Sequence, residues 1–391
     1  MIKYLPYGRQ SITSSDIFNV KKVLKSDFLT TGPTIKLFEE SLGKYCKSKF
    51  AVAVNSATSA LHIACLAIGV KKNDIVWTSP ISFVASANCA LYCGAKIDFV
   101  DINIDTFNMS IDSLKKKLIV AKKKDKLPKV VIPVHLAGYT CEMIEIHKLS
   151  KKYGFKIIED ASHAIGASYN NKKIGSCHYS DIAVFSFHPV KIITSGEGGV
   201  AMTNDKKLSK KMKSLREHGI EKKLNKNNIQ KPWYYQQQDL GFNYRMSDIH
   251  ASLGLGQLKK INKFVKKRNL IARYYRNKLK SLPIKFQEEK KNIYSTYHLF
   301  IILVPRVLHL KLFRFLRKNR IFINLHYIPI FLHPYYNKKS FKLNDFPNSM
   351  NYYSRAISLP VFYDLKKKDQ DKVINLIQKY FKKNKYNQLK I

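Results

Sequence analysis

"FAVAVNSATSALHIACLAIG", residues 50–69, joins two kinds of periodicity across one turn. "FAVAVN" is an unbroken apolar run of strand length, which suits a strand buried on both faces. "SATSALHIACLAIG" then carries helical spacing, opens on short hydroxyl residues and closes on glycine. The same pattern recurs down the chain. "DIVWTSP" (74–80) reads as a strand and "FVASANCALYCG" (83–94) as a helix. "KIDFVDI" (96–102) and "KVVIPVHL" (129–136) are strands, "MIEIHKLSKKYG" (143–154) a helix and "FKIIEDA" (155–161) a strand. "SDIAVFSF" (180–187) and "GGVAMTN" (198–204) continue the series. Strands alternating with helices predict an α/β sandwich around a largely parallel sheet.

Before this series, "SSDIFNVKKVL" (14–24) and the segment after "FLTTGP" (28–33) read as two helices broken by Gly and Pro. The pattern changes after about residue 260. A long polar helix, "LKKINKFVKKRNLIARYYRNKLKSL" (258–282), precedes "YHLFIILV", "KLFRFLRKNRI" and "FINLHYIPI". These predict a smaller α+β domain, so the chain divides into a large domain over 1–260 and a small one over 261–391.

The 391 residues are 45% hydrophobic and 12% aromatic, enough to bury a sizeable core. The formal net charge of +43, from 70 basic and 27 acidic residues, raises nucleic acid or an anionic membrane as partners. The excess is lysine scattered through polar helical stretches such as "SLKKKLIVAKKKDKLPK", not Arg clustered with aromatics, so neither partner is expected. Such a charge can still steer a polyanionic small molecule to a cleft. Cys46, Cys65, Cys89, Cys93, Cys141 and Cys177 form no C-x-x-C pair and no metal framework. Cys65, Cys89 and Cys93 sit among Ala and Leu, as core thiols in a reducing compartment do. No apolar leader and no run of ~18 apolar residues is present, which predicts a soluble, cytoplasmic protein.

Ligands of open α/β sheets sit at the carboxyl ends of the strands. Asn55-Ser56-Ala57-Thr58-Ser59 falls there, and hydroxyls with free N–H groups at a helix start suit a phosphate. The same pattern serves an ordinary N-cap. "IIEDASHA" puts Glu159, Asp160 and His163 past a buried strand. A carboxylate there needs a partner, such as a protonated ring nitrogen, or caps a helix. "SFHPVKIITSGEGG" (186–199) then delivers Ser186, and after a proline turn Lys191, before four residues that permit close backbone approach and positive φ. A lysine shielded from water becomes a nucleophilic amine. Phosphate cup, carboxylate, serine and lysine in this order are more specific than any one of them.

The sequence resembles the DegT/DnrJ/EryC1/StrS sugar aminotransferases, and within them the branch working in pseudaminic acid synthesis. The stretches that carry this are "SDFLTTGP", "AVNSATSALH", "TSPISFVASANCALYCGA", "IIEDASHAIG", "SDIAVFSFHPVKIITSGEGG", "LGFNYRMSDI" and "HYIP", which together span nearly the whole chain. The resemblance implies a type I pyridoxal-phosphate-dependent transferase (aspartate aminotransferase) fold and pyridoxal 5′-phosphate as cofactor. By motif, Lys191 would anchor the cofactor and serve as the catalytic base. Asp160 would hold its pyridine nitrogen protonated. Ala57, Thr58 and Ser59 would cup its phosphate with Ser186, Phe83 would stack on its ring, and His163 would face the ring or its O3′ side. Asn243 would reach the phosphate of a neighbouring subunit, so a homodimer would share its sites. For a UDP-linked 4-keto sugar the resemblance points to Tyr7, to Asp27, Phe28, Leu29 and Thr30, and to His326, Tyr327, Ile328 and Pro329. Ala57, Ser186 and Asn243 would also meet it, with Arg245 a further contact for an anionic group. L-glutamate would donate the amino group and leave as 2-oxoglutarate. No metal is expected. Some relatives replace the anchoring lysine and act as dehydratases, and the lysine retained here favours transamination. Another keto sugar and a non-catalytic regulator remain open as alternatives.

Overall fold

The computed structural model describes residues 4–221, 233–337 and 341–383. Two helices lead, α1 (Ser14–Leu24) and α2 (Pro33–Cys46), broken where Gly32 and Pro33 stop one and start the other. The alternating series follows: β1 (Phe50–Val54), α3 (Ala57–Ile68), β2 (Ile75–Thr78), α4 (Ala85–Tyr92), β3 (Lys96–Phe99), α5 (Ile111–Lys123), β4 (Val130–Ile132), α6 (Met143–Tyr153), β5 (Lys156–Asp160), β6 (Ile182–Ser186), β7 (Gly199–Thr203) and α7 (Lys206–Arg216).

The strands form one seven-stranded sheet in the order β1-β7-β6-β5-β4-β2-β3. Alternation along each strand sorts its residues to two faces. Ala51, Ala53, Val131, Ile157, Ala183, Phe185, Val200 and Met202 join a core with α2, α5 and α6. Val52, Val54, Val130, Ile132, Ile158, Ile182, Val184 and Ala201 join a second core with α3, α4 and α7. Both faces are thus covered, which is why the strands read as unbroken apolar runs.

The sheet is parallel except for β7, which runs antiparallel to both β1 and β6. The strand belongs to the series as expected, but its direction departs from it for a physical reason. A parallel return needs a crossover of a dozen or more residues, usually helical. Residues 187–198 hold no helix and simply turn the chain back.

Next come α8 (Asp248–Leu258) and α9 (Ile261–Leu279). Ile261, Phe264 and Val265 of α9 pack into the first core, whereas Ile271, Tyr275 and Leu279 pack into a third. That third core gathers β8 (Lys285–Phe286), β9 (Phe300–Leu303), α10 (Arg306–Lys318), β10 (Ala356–Leu359) and α11 (Lys367–Lys383), an α+β arrangement on an antiparallel three-stranded sheet. The amino-terminal segment is stitched into it. Leu5 and Pro6 pair in parallel with Ile321 and Phe322, and the Tyr7 carbonyl accepts the Val361 N–H at 2.9 Å. Tyr7 is thereby held beside the carboxyl ends of the large sheet. Among the described residues no helix is long and apolar enough to cross a membrane.

Candidate active site

The carboxyl ends of β1, β5 and β6 open on one cavity of about 410 Å³. From the large domain it is lined by Ala57 and Thr58 at the start of α3, by Phe83, by Asp160 and His163, and by Ser186 and Lys191. Tyr7, His326 and Tyr327 close the other side. The anticipated constellation is therefore assembled from segments far apart in the chain.

Each member has a local cause. Ser56 caps α3, its Oγ accepting the Ser59 N–H at 3.1 Å. The Ala57 and Thr58 N–H groups sit in the first turn, where no intrahelical acceptor exists. Ser186 ends β6 in register with Gly199 of β7. Gly196 has φ +83°, and a Cβ on Gly199 would lie 2.4 Å from the Ala57 nitrogen, so the glycine run serves both positive φ and close approach.

Glu159 and Asp160 alternate at the end of β5 and diverge. Glu159 turns away, its Oε2 2.7 Å from His135 Nε2, with Ser180 also bonded to it. Asp160 faces the cavity, accepting the Ser86 hydroxyl at 2.5 Å and the Ser162 N–H at 3.1 Å. Lys191 follows a turn in which its N–H bonds the His188 carbonyl at 2.9 Å. Burial pushes its amine down to about 8, against the pull of the Asp160 charge. Burial, and then the nearby Lys191, hold His163 well below the ordinary histidine value and bring His326 down to about 3.

Phe83 is 58% exposed, offering a ring face to whatever fills the cavity. Its centroid lies 6.2 Å from that of Tyr327. His326 is fixed by Ser358 Oγ at 2.8 Å and packs against Tyr7 with centroids 4.9 Å apart.

Several anticipated residues lie elsewhere in the single chain. Ser59 turns its hydroxyl to Asn55 Oδ1 at 2.6 Å, outside the lining. Ile328 is exposed and Pro329 buried, both beyond the cavity wall. Asp27, Phe28, Leu29 and Thr30 come together with the segment holding Asn243 and Arg245. The Leu29 carbonyl accepts the Asp248 N–H at 3.0 Å, and Thr30 bridges to Ser247. Phe28, Leu29 and Asn243 face outward there. Most anticipated residues thus fall into two groups, one lining the cavity and one on the outer segments 27–30 and 243–247, while Ser59, Ile328 and Pro329 belong to neither.

Sequence reasoning missed Ser82, Ser86, Ser162, His188 and Glu197. All five sat inside quoted stretches, Ser82 and Ser86 in "TSPISFVASANCALYCGA", Ser162 in "IIEDASHAIG", and His188 and Glu197 in "SFHPVKIITSGEGG"; of these, Ser162 could have been read from its place just past a strand end. Ser86, 74 residues from Asp160, had no signal of its own.

The chain from residue 10 to 378 matches the DegT/DnrJ/EryC1/StrS aminotransferase family. It is 38% identical over 386 residues, 96% of this chain and 98% of the relative, to a UDP-4-amino-4,6-dideoxy-N-acetyl-β-L-altrosamine transaminase of Campylobacter jejuni. It superposes with TM-score 0.88 and 31% identity on Helicobacter pylori PseC, an aminotransferase involved in pseudoaminic acid biosynthesis, covering 97% of this chain and all of that one. The sugar aminotransferase Spr1654 of Streptococcus pneumoniae, solved in its PLP form, superposes with TM-score 0.88 and 27% identity over 97% and 99% of the two chains.

The cavity fits that cofactor chemically. A phosphate suits the α3 amino terminus beside Ser186. A pyridinium nitrogen suits a carboxylate such as that of Asp160, which is only 5% exposed and, among the described residues, has no cation bonded to it. An aldehyde suits an amine brought near neutral pH. Site chemistry, fold and family agree, and the chain belongs to the DegT/DnrJ/EryC1/StrS aminotransferases as an enzyme dependent on pyridoxal phosphate.

Proposed function

We propose that the enzyme moves the amino group of L-glutamate to the C4 ketone of UDP-2-acetamido-2,6-dideoxy-β-L-arabino-hex-4-ulose. The products are UDP-4-amino-4,6-dideoxy-N-acetyl-β-L-altrosamine and 2-oxoglutarate, on the route to pseudaminic acid. The observation that carries the reaction class is Lys191, whose amine is depressed to about 8 by burial in the cavity that also holds Asp160. The substrate reading draws on the activity named for the C. jejuni relative and on the pathway named for PseC.

The cofactor supplies the electron sink for proton removal at the carbon bearing nitrogen. This chain's residues do the rest. Lys191 holds the cofactor and then carries a proton to and from the reacting carbon, for which an amine near neutral pH is suited. Asp160, fixed by Ser86 and Ser162, keeps the ring nitrogen protonated. Ala57, Thr58 and Ser186 bind the phosphate, with Ser59 shaping the turn through Asn55. Phe83 covers the ring, and Tyr7, His326 and Tyr327 wall the sugar side.

A second copy of the chain completes the site in this reading. The outer patch of Asp27–Thr30 with Asn243 and Arg245 serves the neighbouring cavity, and Ile328 and Pro329 border the same approach. Exposed apolar residues support such a partner: Phe28 at 52%, Leu29 at 47%, Leu37 at 54%, and in the segment leading to α8 Trp233 at 75% and Leu240 at 82%. Five of the six free thiols are buried, which accords with a cytoplasmic setting.

The test is to incubate the purified holoenzyme with L-glutamate and a panel of UDP-, GDP- and dTDP-linked 4-keto and 3-keto sugars, reading the amino sugar by mass spectrometry and NMR. The UDP-N-acetyl 4-keto sugar is expected to give the highest kcat/KM. A higher value on another nucleotide or ketone position would replace this substrate and leave the reaction class standing.

A further inference from the structure

Both ring nitrogens of His163 are taken up by the chain itself. Nδ1 lies 3.3 Å from the Ala137 N–H, and Nε2 lies 3.1 Å from the Tyr327 hydroxyl. A backbone N–H only donates, so Nδ1 is the bare nitrogen of the ring. His163 is 5% exposed, and among the described residues no carboxylate is bonded to it, so its imidazole is neutral and its single proton sits on Nε2. That proton points at the Tyr327 oxygen.

The consequence falls on Tyr327. A phenol has one proton to give and lone pairs to receive. With a lone pair occupied by His163, its own proton turns elsewhere. Among the described residues no second hydrogen-bond partner of this hydroxyl is found. Tyr327 lines the cavity with Lys191. Its wall, with Tyr7 and His326, is uncharged and aromatic, unlike the α3 amino terminus that suits a phosphate.

The arrangement is braced. Ala137 and Gly138 have φ +63° and +90°, which aims the Ala137 N–H. A Cβ on Gly138 would meet Thr296 Oγ1 at 2.0 Å, and that hydroxyl donates to the His163 carbonyl at 2.7 Å. The His298 ring packs on His163 with centroids 4.3 Å apart. His163 therefore has little freedom to swing a nitrogen toward another group.

We propose that His163 is a positioning residue acting through Tyr327, whose hydroxyl proton it directs into the cavity as a donor to the carbonyl oxygen of the acceptor keto sugar. The donor is neutral, as is the oxygen it serves. Burial keeps the phenol far above its ordinary value, so it polarises the carbonyl and does not ionise. The inference rests on reading the cavity as an aminotransferase site.

The two halves of the reaction separate it from that reading. In stopped-flow absorbance, L-glutamate alone drives the first half, and the UDP-linked 4-keto sugar drives the second. Tyr327→Phe keeps the ring and removes the donor. It is expected to slow the keto-sugar half by about 10²-fold, as loss of one oriented donor does, with the glutamate half and the visible maximum of the bound cofactor unchanged. His163→Leu is expected to follow it, and His163→Gln, which retains an N–H, to recover most of the loss. Thermal melting of each variant tells a loss of fold from a loss of donor. An unchanged keto-sugar half in Tyr327→Phe overturns the inference alone. So does a His163→Leu variant that shifts the cofactor absorbance and slows the glutamate half, since His163 would then contact the cofactor directly. A wild-type enzyme with no glutamate half-reaction removes both the reading and the inference.

Discussion

Gly199 of β7 and Ala57 of α3 are in backbone contact, so close that a Cβ on the glycine would lie 2.4 Å from the Ala57 nitrogen. This contact couples the turn that carries Lys191 to the helix start that suits a phosphate. Neither neighbour can yield, because both are backbone, and β7 is hydrogen-bonded on both sides. Gly199→Ala is expected to lower stability by about 1–3 kcal/mol, the usual cost of overpacking. It should also weaken cofactor retention more than a surface Gly→Ala change of equal stability cost. Denaturant midpoints and a cofactor titration of the apoenzyme measure the two effects.

Asp248 joins two elements that the sequence separates by more than 200 residues. Its carboxylate accepts the Gly32 N–H at 2.7 Å and the Thr34 N–H at 2.8 Å, capping α2 from outside, while it sits in the first turn of α8. It is wholly buried. Asp248→Ala leaves those N–H groups unpaired and is expected to cost about 1–3 kcal/mol. The Asp27–Thr30 segment loosens with it. If that segment meets the sugar nucleotide, KM for the UDP-sugar rises while the glutamate half-reaction keeps its rate. Steady-state and single-turnover kinetics of the same variant check this.

The sandwich was legible because burial on both faces makes β1, β4 and β6 continuous apolar runs between helical spacings. Ser186, Lys191 and Asp160 were legible because strand ends are where such a sheet places chemistry. Other features lack a local signal. The direction of β7 depends on a connection that contains no helix, and the strand pattern is the same either way. Helix α8 hides because it is packed on several sides. Gly254 lies against the Phe38 ring and Gly256 against Asp16, so no polar stripe marks it. The outward position of Asn243 and Phe28 is a property of the folded chain that motif order does not contain.

Ser86 shows how a residue given no role by any motif can govern one that has it. Its hydroxyl is 2.5 Å from Asp160 Oδ2 and also bonds Ser82 at 2.7 Å, in a fully buried setting. Ser86→Ala removes one of the two donors that orient the carboxylate. A charged hydrogen bond of this kind is worth about 1.5–3 kcal/mol. Cofactor affinity of the apoenzyme is expected to fall by roughly tenfold or more, with the folded state retained. Ser86→Cys, of similar volume and a weaker donor, should lie between. Equilibrium titration by absorbance reads both.

Lys191 ties stability to pH in a direction that can be worked out. Its amine is lowered in the native state from the ordinary 10.5 to about 8. Below pH 8 both native and unfolded chains hold the proton, and the native state bears the full penalty of a buried ammonium. Between about 8 and 10.5 the unfolded chain binds more protons than the native one, so stability rises with pH. Above that range both are neutral and the penalty is gone. Apoenzyme carrying Lys191→Met, which keeps the stem without the charge, is therefore expected to melt higher than wild-type apoenzyme at pH 7, and the difference should shrink as pH climbs through this window. The same variant should lose turnover and the visible absorbance of lysine-bound cofactor. Cofactor capture by wild-type apoenzyme should quicken as pH rises toward 8, because only the neutral amine reacts. A Lys191→Met apoenzyme no more stable than wild type at pH 7, or a capture rate flat from pH 6 to about 9, would show that the amine is not held in the shielded state its burial implies.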